Sequence, residues 1–311
     1  MQMMRLAQTE LDVSKIALGT WVFGDDGWGG CKETDCVSAL AAAAQEGINL
    51  IDTAPIYGYG RAEERIGKAL QGRRKQFVIA TKCGLAWQGK KIRVDLSVQN
   101  IRREIDESLR RLRTDYIDLY QCHWPDEQTP VEATMATLCR LQQEGKIRYF
   151  GVCNFDLARL KECLRISAVV SSQNAYSLLD RAVEDDLLPF LREEKIGFLT
   201  YGPLAGGILT GKYQAVPSFP ANDVRRFFYK YYQGEKFTTV QKFLMALREL
   251  GDFPFNQIAI NWVCQQDGVT SVLVGARNAA QVRDNAAALR AGTLSPAQLK
   301  RIRALLKEYG L

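Results

Sequence analysis

The chain has 311 residues, of which 47% are hydrophobic and 24% are charged, and its formal net charge is +6 at pH 7. These proportions are typical of a folded globular protein and exclude a largely disordered chain. No apolar run approaches the ~20 residues of a membrane helix, and the basic residues are spread along the chain rather than gathered into a patch for nucleic acid.

Short runs rich in β-branched residues alternate with helical stretches along the whole chain, a pattern typical of repeated β–α units. Strands are predicted at residues 16–20, 49–53, 77–82, 116–123, 148–153, 169–173, 197–201 and 271–275. Helices are predicted at residues 33–46, 61–71, 97–113, 131–144, 157–165, 183–194, 237–250, 256–265 and 279–289, and a last helix runs from Ser295-Pro296 to near Tyr309. Gly47, Gly72 and Gly145 end three of these helices.

Eight such units, without a linker or a break in composition, predict one domain over residues 1–311. We expect a closed parallel (β/α)₈ barrel, the TIM barrel, with extra helices near the C terminus. Alternating residues at 4–13 predict a small hairpin that closes the bottom of the barrel. A doubly wound open sheet is the alternative, although no G-x-G-x-x-G motif follows an early strand.

The eight cysteines and the single histidine constrain the metal and redox chemistry of the chain. No two cysteines form a C-x-x-C pair and His123 is the only imidazole, so we expect no metal site. The first eleven residues lack the apolar core of a signal peptide, which predicts a cytoplasmic protein with reduced thiols. The cysteines are Cys31, Cys36, Cys83, Cys122, Cys139, Cys153, Cys163 and Cys264.

Polar side chains end most of the predicted strands, and in such a barrel the carboxyl ends of the strands surround the active site. Asp52, Lys82 and His123 end the second, third and fourth strands, and Tyr57 follows the second. A charge among buried strands is costly unless it is paired or used, and Asp52 and Lys82 come from neighbouring strands, so they could form an ion pair. Taken singly, these residues could instead be a structural ion pair, a packing aromatic and a core histidine.

Together the four side chains have a chemical meaning. A tyrosine has an ordinary pKa of about 10, and a neighbouring lysine cation such as Lys82 lowers it. Asp52 would keep that lysine charged, and a neutral His123 could orient a carbonyl oxygen toward Tyr57. The set predicts Tyr57 as the proton donor in the reduction of an aldehyde or ketone, and it requires a cofactor that supplies the hydride.

The motifs that carry these residues resemble the aldo-keto reductase family in order along nearly the whole chain. Residues 49–58, followed by Glu63-Glu64, resemble the family segment around its catalytic aspartate and tyrosine, while Thr81-Lys82 and His123 match its lysine and histidine. The chain looks most similar to bacterial and plant members that also resemble voltage-gated potassium-channel β subunits. The resemblance implies a (β/α)₈ barrel and NADPH-dependent reduction of a small carbonyl substrate, without nucleic acid, membrane or metal.

The resemblance also implies the residues that contact the cofactor. The matching positions are Asn154, Gln173, Tyr201, Gly202, Pro203, Leu204, Gly206, Gly211, Lys212, Gly275, Arg277, Gln281, Asp284 and Asn285. The chain departs from the family at Cys153, where serine is frequent, and at Gly275-Ala276 and Gln281, where cationic or hydroxyl side chains are frequent. Arg277 is then the expected partner of the 2′-phosphate, so we expect NADPH (NADP⁺) to be preferred over NADH.

Other residues near the strand ends leave alternatives open. Trp21, Trp28, Trp87 and Trp124 could line an apolar substrate pocket or pack within loops. Cys83, Cys122 and Cys153 adjoin the predicted site and are either oxidisable or inert core residues. The chain could also be an NADPH-binding regulatory subunit with slow turnover, or an isomerase or lyase that uses Asp52 and Lys82 without a nicotinamide. Neither the physiological substrate nor the choice between monomer and homo-oligomer follows from the sequence.

Overall fold

The computed structural model describes residues 1–290 and 292–311. Eight parallel strands form a closed barrel in which each strand pairs with the next along the chain and the last pairs with the first. The closed barrel confirms the predicted architecture and replaces the open-sheet alternative. The barrel strands are β3 (Ile16–Gly19), β4 (Leu50–Asp52), β5 (Val78–Cys83), β8 (Ile117–Cys122), β9 (Ile147–Cys153), β10 (Ser171–Ala175), β11 (Gly197–Tyr201) and β12 (Val269–Gly275).

Helices surround the barrel and follow its strands, as the alternation in the sequence predicts. Extra helices follow β11 and the end of the barrel. The helices are α1 (Glu33–Gln45), α2 (Arg61–Ala69), α3 (Val98–Leu112), α4 (Val131–Gln143), α5 (Leu157–Leu164), α6 (Leu187–Glu193), α7 (Arg225–Phe228), α8 (Gly234–Ala246), α9 (Phe255–Cys264), α10 (Ala279–Arg290) and α11 (Pro296–Glu308). Among the described residues, none of these helices has the length and apolar content to cross a bilayer.

Local sequence signals explain where several helices begin and how closely they pack. The Ser97 hydroxyl accepts a hydrogen bond from the Asn100 amide at the start of α3. At α11, Ser295 and Gln298 form a reciprocal capping box and Pro296 occupies the first turn. Gly67 of α2 lies directly against the backbone of α3, where any side chain would collide, so α2 and α3 approach closely.

The predicted N-terminal hairpin is present and closes one end of the barrel. Strands β1 (Met3–Arg5) and β2 (Asp12–Ser14) pair in antiparallel fashion. Leu6, Leu11 and Val13 are buried from this hairpin and pack against apolar side chains from the barrel interior. This plug occupies the amino-terminal end of the strands, which leaves their carboxyl ends as the accessible mouth of the barrel.

Two segments differ from the prediction for local reasons. The predicted helix at 183–194 is split into a 3₁₀ turn at Ala182–Glu184 and α6. Pro189 lacks an amide hydrogen and is tolerated only in a first turn, so the α-helix begins just before it. A second hairpin, β6 (Leu85–Gln88) and β7 (Lys91–Val94), was not predicted, although Gly89 supplies the positive φ that its tight turn requires.

Candidate active site

A buried ion pair lies at the centre of the barrel mouth. The Lys82 Nζ donates a hydrogen bond to Asp52 Oδ1 at 2.7 Å and a second to the Thr53 carbonyl at 3.0 Å. Only 1% of the Lys82 side chain and 5% of the Asp52 side chain are exposed to solvent. β4 and β5 are paired neighbours, and both side chains lie at their carboxyl ends, which confirms the ion pair.

Tyr57 lies over this pair, in the loop between β4 and α2. The Lys82 Nζ is 3.4 Å from the Tyr57 hydroxyl, within hydrogen-bonding distance. The indole of Trp21 stacks on the Tyr57 ring with a centroid separation of 5.5 Å. The backbones of Gly24 and Gly58 are in contact, and a side chain on either glycine would collide with the other loop. The Tyr57 loop is therefore packed closely against the loop of Gly24, and the Tyr57 ring against Trp21.

The acidity of Tyr57 differs from the sequence-based expectation. Burial raises the pKa of Tyr57 to about 12, although the Lys82 ammonium acts in the opposite, lowering direction. The lowering expected from Lys82 is present, but the net pKa is raised because loss of hydration of a phenolate outweighs one neighbouring cation. The phenol is consequently protonated at neutral pH, which is the form that a proton donor needs.

His123 completes the group of four side chains predicted from the sequence. Its ring meets the Tyr57 ring edge to face, with centroids 6.0 Å apart. Burial and the Lys82 ammonium hold the pKa of His123 well below its usual range, so the imidazole is neutral. Its backbone is fixed on both sides, since the amide donates to the Cys83 carbonyl and the carbonyl accepts from Asn154 Nδ2, each at 2.9 Å.

An amide network extends from the ion pair across the mouth. Gln173 Nε2 donates to Asp52 Oδ2 at 2.9 Å and contacts Gln121 Oε1 at 3.5 Å. The Tyr201 hydroxyl donates to Asn154 Oδ1 at 2.8 Å. Asn154, Gln173 and Tyr201 are thus gathered beside the four central residues. The sequence does not predict Gln121 as a site residue, although it is a polar residue inside the buried strand β8, two residues before His123.

Glu63 anchors the loop of Tyr57 to the strand of Lys82. This fully buried carboxylate accepts from the Thr81 hydroxyl at 2.6 Å and from Arg111 Nε at 2.7 Å. Thr81 directly precedes Lys82 on β5, while Glu63 lies in the first turn of α2, six residues after Tyr57. The contact therefore fixes the distance between the two segments.

A glycine-rich turn follows β11 at the same mouth. Gly202, Gly206, Gly207 and Gly211 all have positive φ, a conformation that other residues rarely adopt. The Tyr229 ring packs directly on Gly206, where a side chain would collide with it. The turn contains the predicted cofactor residues Gly202, Pro203, Leu204, Gly206, Gly211 and Lys212. Its tight backbone is similar to the concave turns that bind phosphate groups.

The end of β12 and the segment that follows it contain the remaining predicted cofactor residues. The Arg277 amide donates to Gln281 Oε1 at 2.8 Å, and its guanidinium Nη2 donates to the Trp28 carbonyl. Asn285 Nδ2 donates to the Gly275 carbonyl at 3.4 Å. The carboxylate of Asp284 accepts from Asn256 and Gln257, at 2.7 and 2.9 Å, which ties α10 to α9.

The four predicted pocket tryptophans do not form one cluster. Trp21 and Trp28 meet edge to face at 5.5 Å beside Tyr57, and the Phe228 ring reaches Trp21 at 5.9 Å. Trp87 lies on β6 and pairs with Tyr59 at 5.8 Å. Trp124 is 38% exposed. Two separate aromatic groups therefore lie around the mouth, and only the first contacts Tyr57.

The cysteines that adjoin the site are buried core residues. Cys83 and Cys122 occupy paired positions at the ends of β5 and β8, and Cys153 ends β9. Burial raises the pKa of the Cys83 and Cys153 thiols, which keeps them protonated and poorly reactive at neutral pH. Among the described residues, no group of three or more His, Cys, Asp or Glu side chains could hold a metal ion.

Glu104 of α3 makes the stability of this region depend on pH. Its Oε2 accepts from the Gly84 amide at 2.6 Å, while Oε1 has no partner among the described residues. Burial raises the pKa of Glu104 from 4.5 to about 7. Between these values the folded protein binds more protons than the unfolded chain, so its stability should fall as pH rises, by about 3 kcal/mol in total.

We expect Glu104→Gln to remove this loss, because the amide is uncharged at every pH. Urea unfolding at pH 5 and pH 8 should show a smaller difference in unfolding free energy for this variant than for the wild type. Glu127→Gln, at an exposed position, is the matched control and should retain the wild-type difference. Equal pH dependence in Glu104→Gln and the wild type would contradict the assignment.

Comparison with known proteins agrees with this geometry. The profile described as "Aldo/keto reductase family" matches residues 15–307. The chain is 36% identical over 288 residues to the aldo-keto reductase YhdN of Bacillus subtilis, covering 91% of this chain and 87% of that protein. It is 37% identical over 311 residues to the NADH-specific methylglyoxal reductase of Escherichia coli, covering 93% and 94%.

A plant protein and a solved structure are also similar to this chain over most of its length. A probable voltage-gated potassium channel subunit beta of Arabidopsis thaliana is 31% identical over 301 residues, covering 92% of this chain and 90% of that protein. The structure of the glycerol dehydrogenase AKR11B4 from Gluconobacter oxydans superposes with a TM-score of 0.91 at 35% identity, covering 99% of this chain and 95% of that one. The predicted relationship to channel β subunits is thereby confirmed.

Proposed function

This chain belongs to the aldo/keto reductase family, and from that premise we propose that it reduces an aldehyde or ketone with NADPH and that Tyr57 is the general acid. The family consists of oxidoreductases that act on carbonyl or alcohol groups, which sets aside the isomerase or lyase alternative. The observation that carries the proposal is the continuous contact from Asp52 through Lys82 to the Tyr57 hydroxyl, at 2.7 and 3.4 Å.

Each of the four central residues has a defined part in this proposal. The Tyr57 phenol donates its proton to the carbonyl oxygen as charge develops there. The Lys82 ammonium stabilises the phenolate that remains, and Asp52 keeps the lysine charged and in position. The neutral His123 imidazole can donate a hydrogen bond to the same carbonyl oxygen and orient it. Burial of the group excludes water, which strengthens each of these interactions.

The residues around the mouth fit a nicotinamide dinucleotide. The turn with four positive-φ glycines supplies a concave backbone for phosphates, and Gly275 faces open space where a side chain would intrude. The indole Nε1 of Trp28 is buried without a partner among the described residues, and its ring meets those of Trp21 and Tyr229. Asn154, Gln173 and Tyr201 would hold the nicotinamide end. When bound, the cofactor supplies the hydride.

The proposed preference for NADPH over NADH rests on Arg277. Within the part of the chain that the structure describes, its guanidinium makes one hydrogen bond, to the Trp28 carbonyl, and it is half-buried beside the exposed Gly275. A guanidinium binds a phosphate through two parallel hydrogen bonds, which suits the 2′-phosphate of NADPH. The E. coli relative named as NADH-specific shows that the family does not decide the matter by itself.

We expect Arg277→Ala to weaken NADPH binding by about 10- to 100-fold, the worth of hydrogen bonds to a charged group. The dissociation constant of NADH should change little, because NADH lacks the 2′-phosphate. Fluorescence titration with both cofactors measures the two constants. Arg283→Ala is the control, since that exposed side chain bonds Gln45 and should leave both constants unchanged. Equal weakening of both cofactors by Arg277→Ala would contradict the assignment.

Turnover tests the proposed function directly. The purified protein is mixed with NADPH or NADH and a panel of aldehydes, ketones and quinones, while cofactor binding is followed by fluorescence and its consumption by absorbance. Oxidation of NADPH with at least one carbonyl compound is the expected result. Tight NADPH binding with no turnover would overturn it in favour of a regulatory subunit, an alternative kept open by the similarity to the plant channel subunit.

A further inference from the structure

A pair of cysteines lies beside the Arg277 segment, away from the four central residues. Cys31 precedes α1 and Cys36 lies in its first turns, and their sulfur atoms are 3.0 Å apart. Cys31 is 6% exposed and Cys36 is completely buried. A disulfide bond is roughly 2.05 Å long, so closing the pair requires the sulfur atoms to move together by about 1 Å.

The charges around the pair allow oxidation but do not favour spontaneous reactivity. Burial raises the pKa of both thiols, so they are protonated at neutral pH and react slowly with oxidants. The Arg65 guanidinium acts in the other direction, because its Nη1 lies 4.0 Å from Cys36 Sγ. A nearby cation stabilises a thiolate, which is the nucleophile in thiol oxidation.

The segment 28–31 makes two hydrogen bonds with Arg277. The Cys31 thiol donates a hydrogen bond to the Arg277 carbonyl at 3.4 Å. Three residues earlier, the Trp28 carbonyl accepts from the Arg277 guanidinium. Cys31 is also fixed from its amide, which donates to Asp25 Oδ1 at 2.6 Å. A bond from Cys31 to Cys36 would remove the thiol donor and pull the segment 28–31 toward α1.

We propose that Cys31 and Cys36 are a modification site, a reversible disulfide formed with a hydroperoxide as oxidant, and that its formation weakens the hold of this protein on NADPH. The Cys31 thiol, the more accessible of the two at 6% exposure, loses its proton and attacks the hydroperoxide, giving a sulfenic acid and releasing an alcohol, or water from hydrogen peroxide. The Cys36 thiol then attacks the sulfenic sulfur, forming the S–S bond and releasing water. Two protein thiols lose two protons and two electrons, and the peroxide is reduced.

The two parts of this proposal rest on different observations. Formation of the disulfide rests only on the 3.0 Å separation and the surroundings of the thiols. Its effect on cofactor binding rests on the role proposed above for Arg277. One hydrogen bond contributes about 0.5–1.5 kcal/mol. If its loss from the Arg277 segment is transmitted to NADPH binding, the dissociation constant for NADPH rises about two- to tenfold.

Peptide mapping tests the disulfide. The full-length protein is treated with hydrogen peroxide, the remaining thiols are blocked, and the protein is digested with trypsin without reduction. Cleavage after Lys32 separates the two cysteines, so a disulfide appears as two linked peptides that part on reduction. We expect the linked pair in the wild type and in Cys139→Ser, and its absence in Cys31→Ser and Cys36→Ser. Its absence from the wild type would overturn the modification site.

Cofactor titration tests the consequence. Oxidised wild type should bind NADPH two- to tenfold more weakly than reduced wild type, with the NADH constant unchanged, and a reductant should restore NADPH binding. The double variant Cys31→Ser/Cys36→Ser should show no response to peroxide. A mapped disulfide with unchanged NADPH affinity would overturn the coupling alone. A reduced protein that binds neither cofactor would instead contradict the proposed function and the coupling, while the peptide map still decides the disulfide.

Discussion

Tyr57→Phe should lower kcat for carbonyl reduction by about 10²- to 10⁴-fold, the usual contribution of a positioned general acid. The substitution removes only the phenolic hydroxyl, so the Trp21 stack and the packing of the loop are retained. Cofactor affinity should be unchanged, because the contacts proposed for the dinucleotide lie elsewhere. Steady-state kinetics with the best carbonyl substrate and fluorescence titration with NADPH measure the two quantities separately.

Tyr59→Phe is the matched control for this experiment. Tyr59 lies two residues later in the same loop, is 39% exposed, and pairs with Trp87 rather than with Lys82. It should keep wild-type kcat. A Tyr57→Phe variant that reduces carbonyl compounds at the wild-type rate would remove Tyr57 as the acid. Since burial raises the pKa of Tyr57 to about 12, the free wild-type protein should keep this proton throughout the neutral range.

Strand ends are the part of the site that the sequence predicts best. Asp52, Lys82 and His123 end buried strands, and the geometry of a closed parallel barrel brings such ends to one mouth. Their pairing follows because a buried charge needs a partner. The barrel is predictable because strand and helix patterns alternate eight times along the chain. The hairpin is predictable because residues 4–13 alternate in character, as short antiparallel strands do.

The sequence does not predict side-chain contacts that depend on the three-dimensional arrangement of the helices and strands. Glu63 bonds Arg111 across 48 positions, and nothing local to either residue indicates that contact. The Cys31–Cys36 pair is close in sequence, yet a C-x₄-C spacing has no fixed geometry until α1 begins between the two residues. The sequence predicts the lowering effect of Lys82 on the pKa of Tyr57 but not the larger, raising effect of burial, which depends on the complete fold.

Lys82→Met should destabilise the protein by about 3–5 kcal/mol, the usual cost of removing one member of a buried ion pair. The Asp52 carboxylate, 4% exposed, would keep its hydrogen bond from Gln173 but lose the ammonium that compensates its charge. Urea unfolding at pH 7, followed by tryptophan fluorescence, measures the loss. Carbonyl reduction should fall as well, because no cation then stabilises the Tyr57 phenolate.

The double variant Asp52→Asn/Lys82→Met separates the two roles of the pair. It leaves no unpaired charge, and asparagine at position 52 still offers an oxygen to Gln173, so much of the stability should return. Activity should not return, because the cation beside Tyr57 remains absent. Recovery of both stability and activity would make the pair purely structural. Wild-type stability in Lys82→Met alone would mean that the buried charges are not coupled, contrary to their 2.7 Å contact.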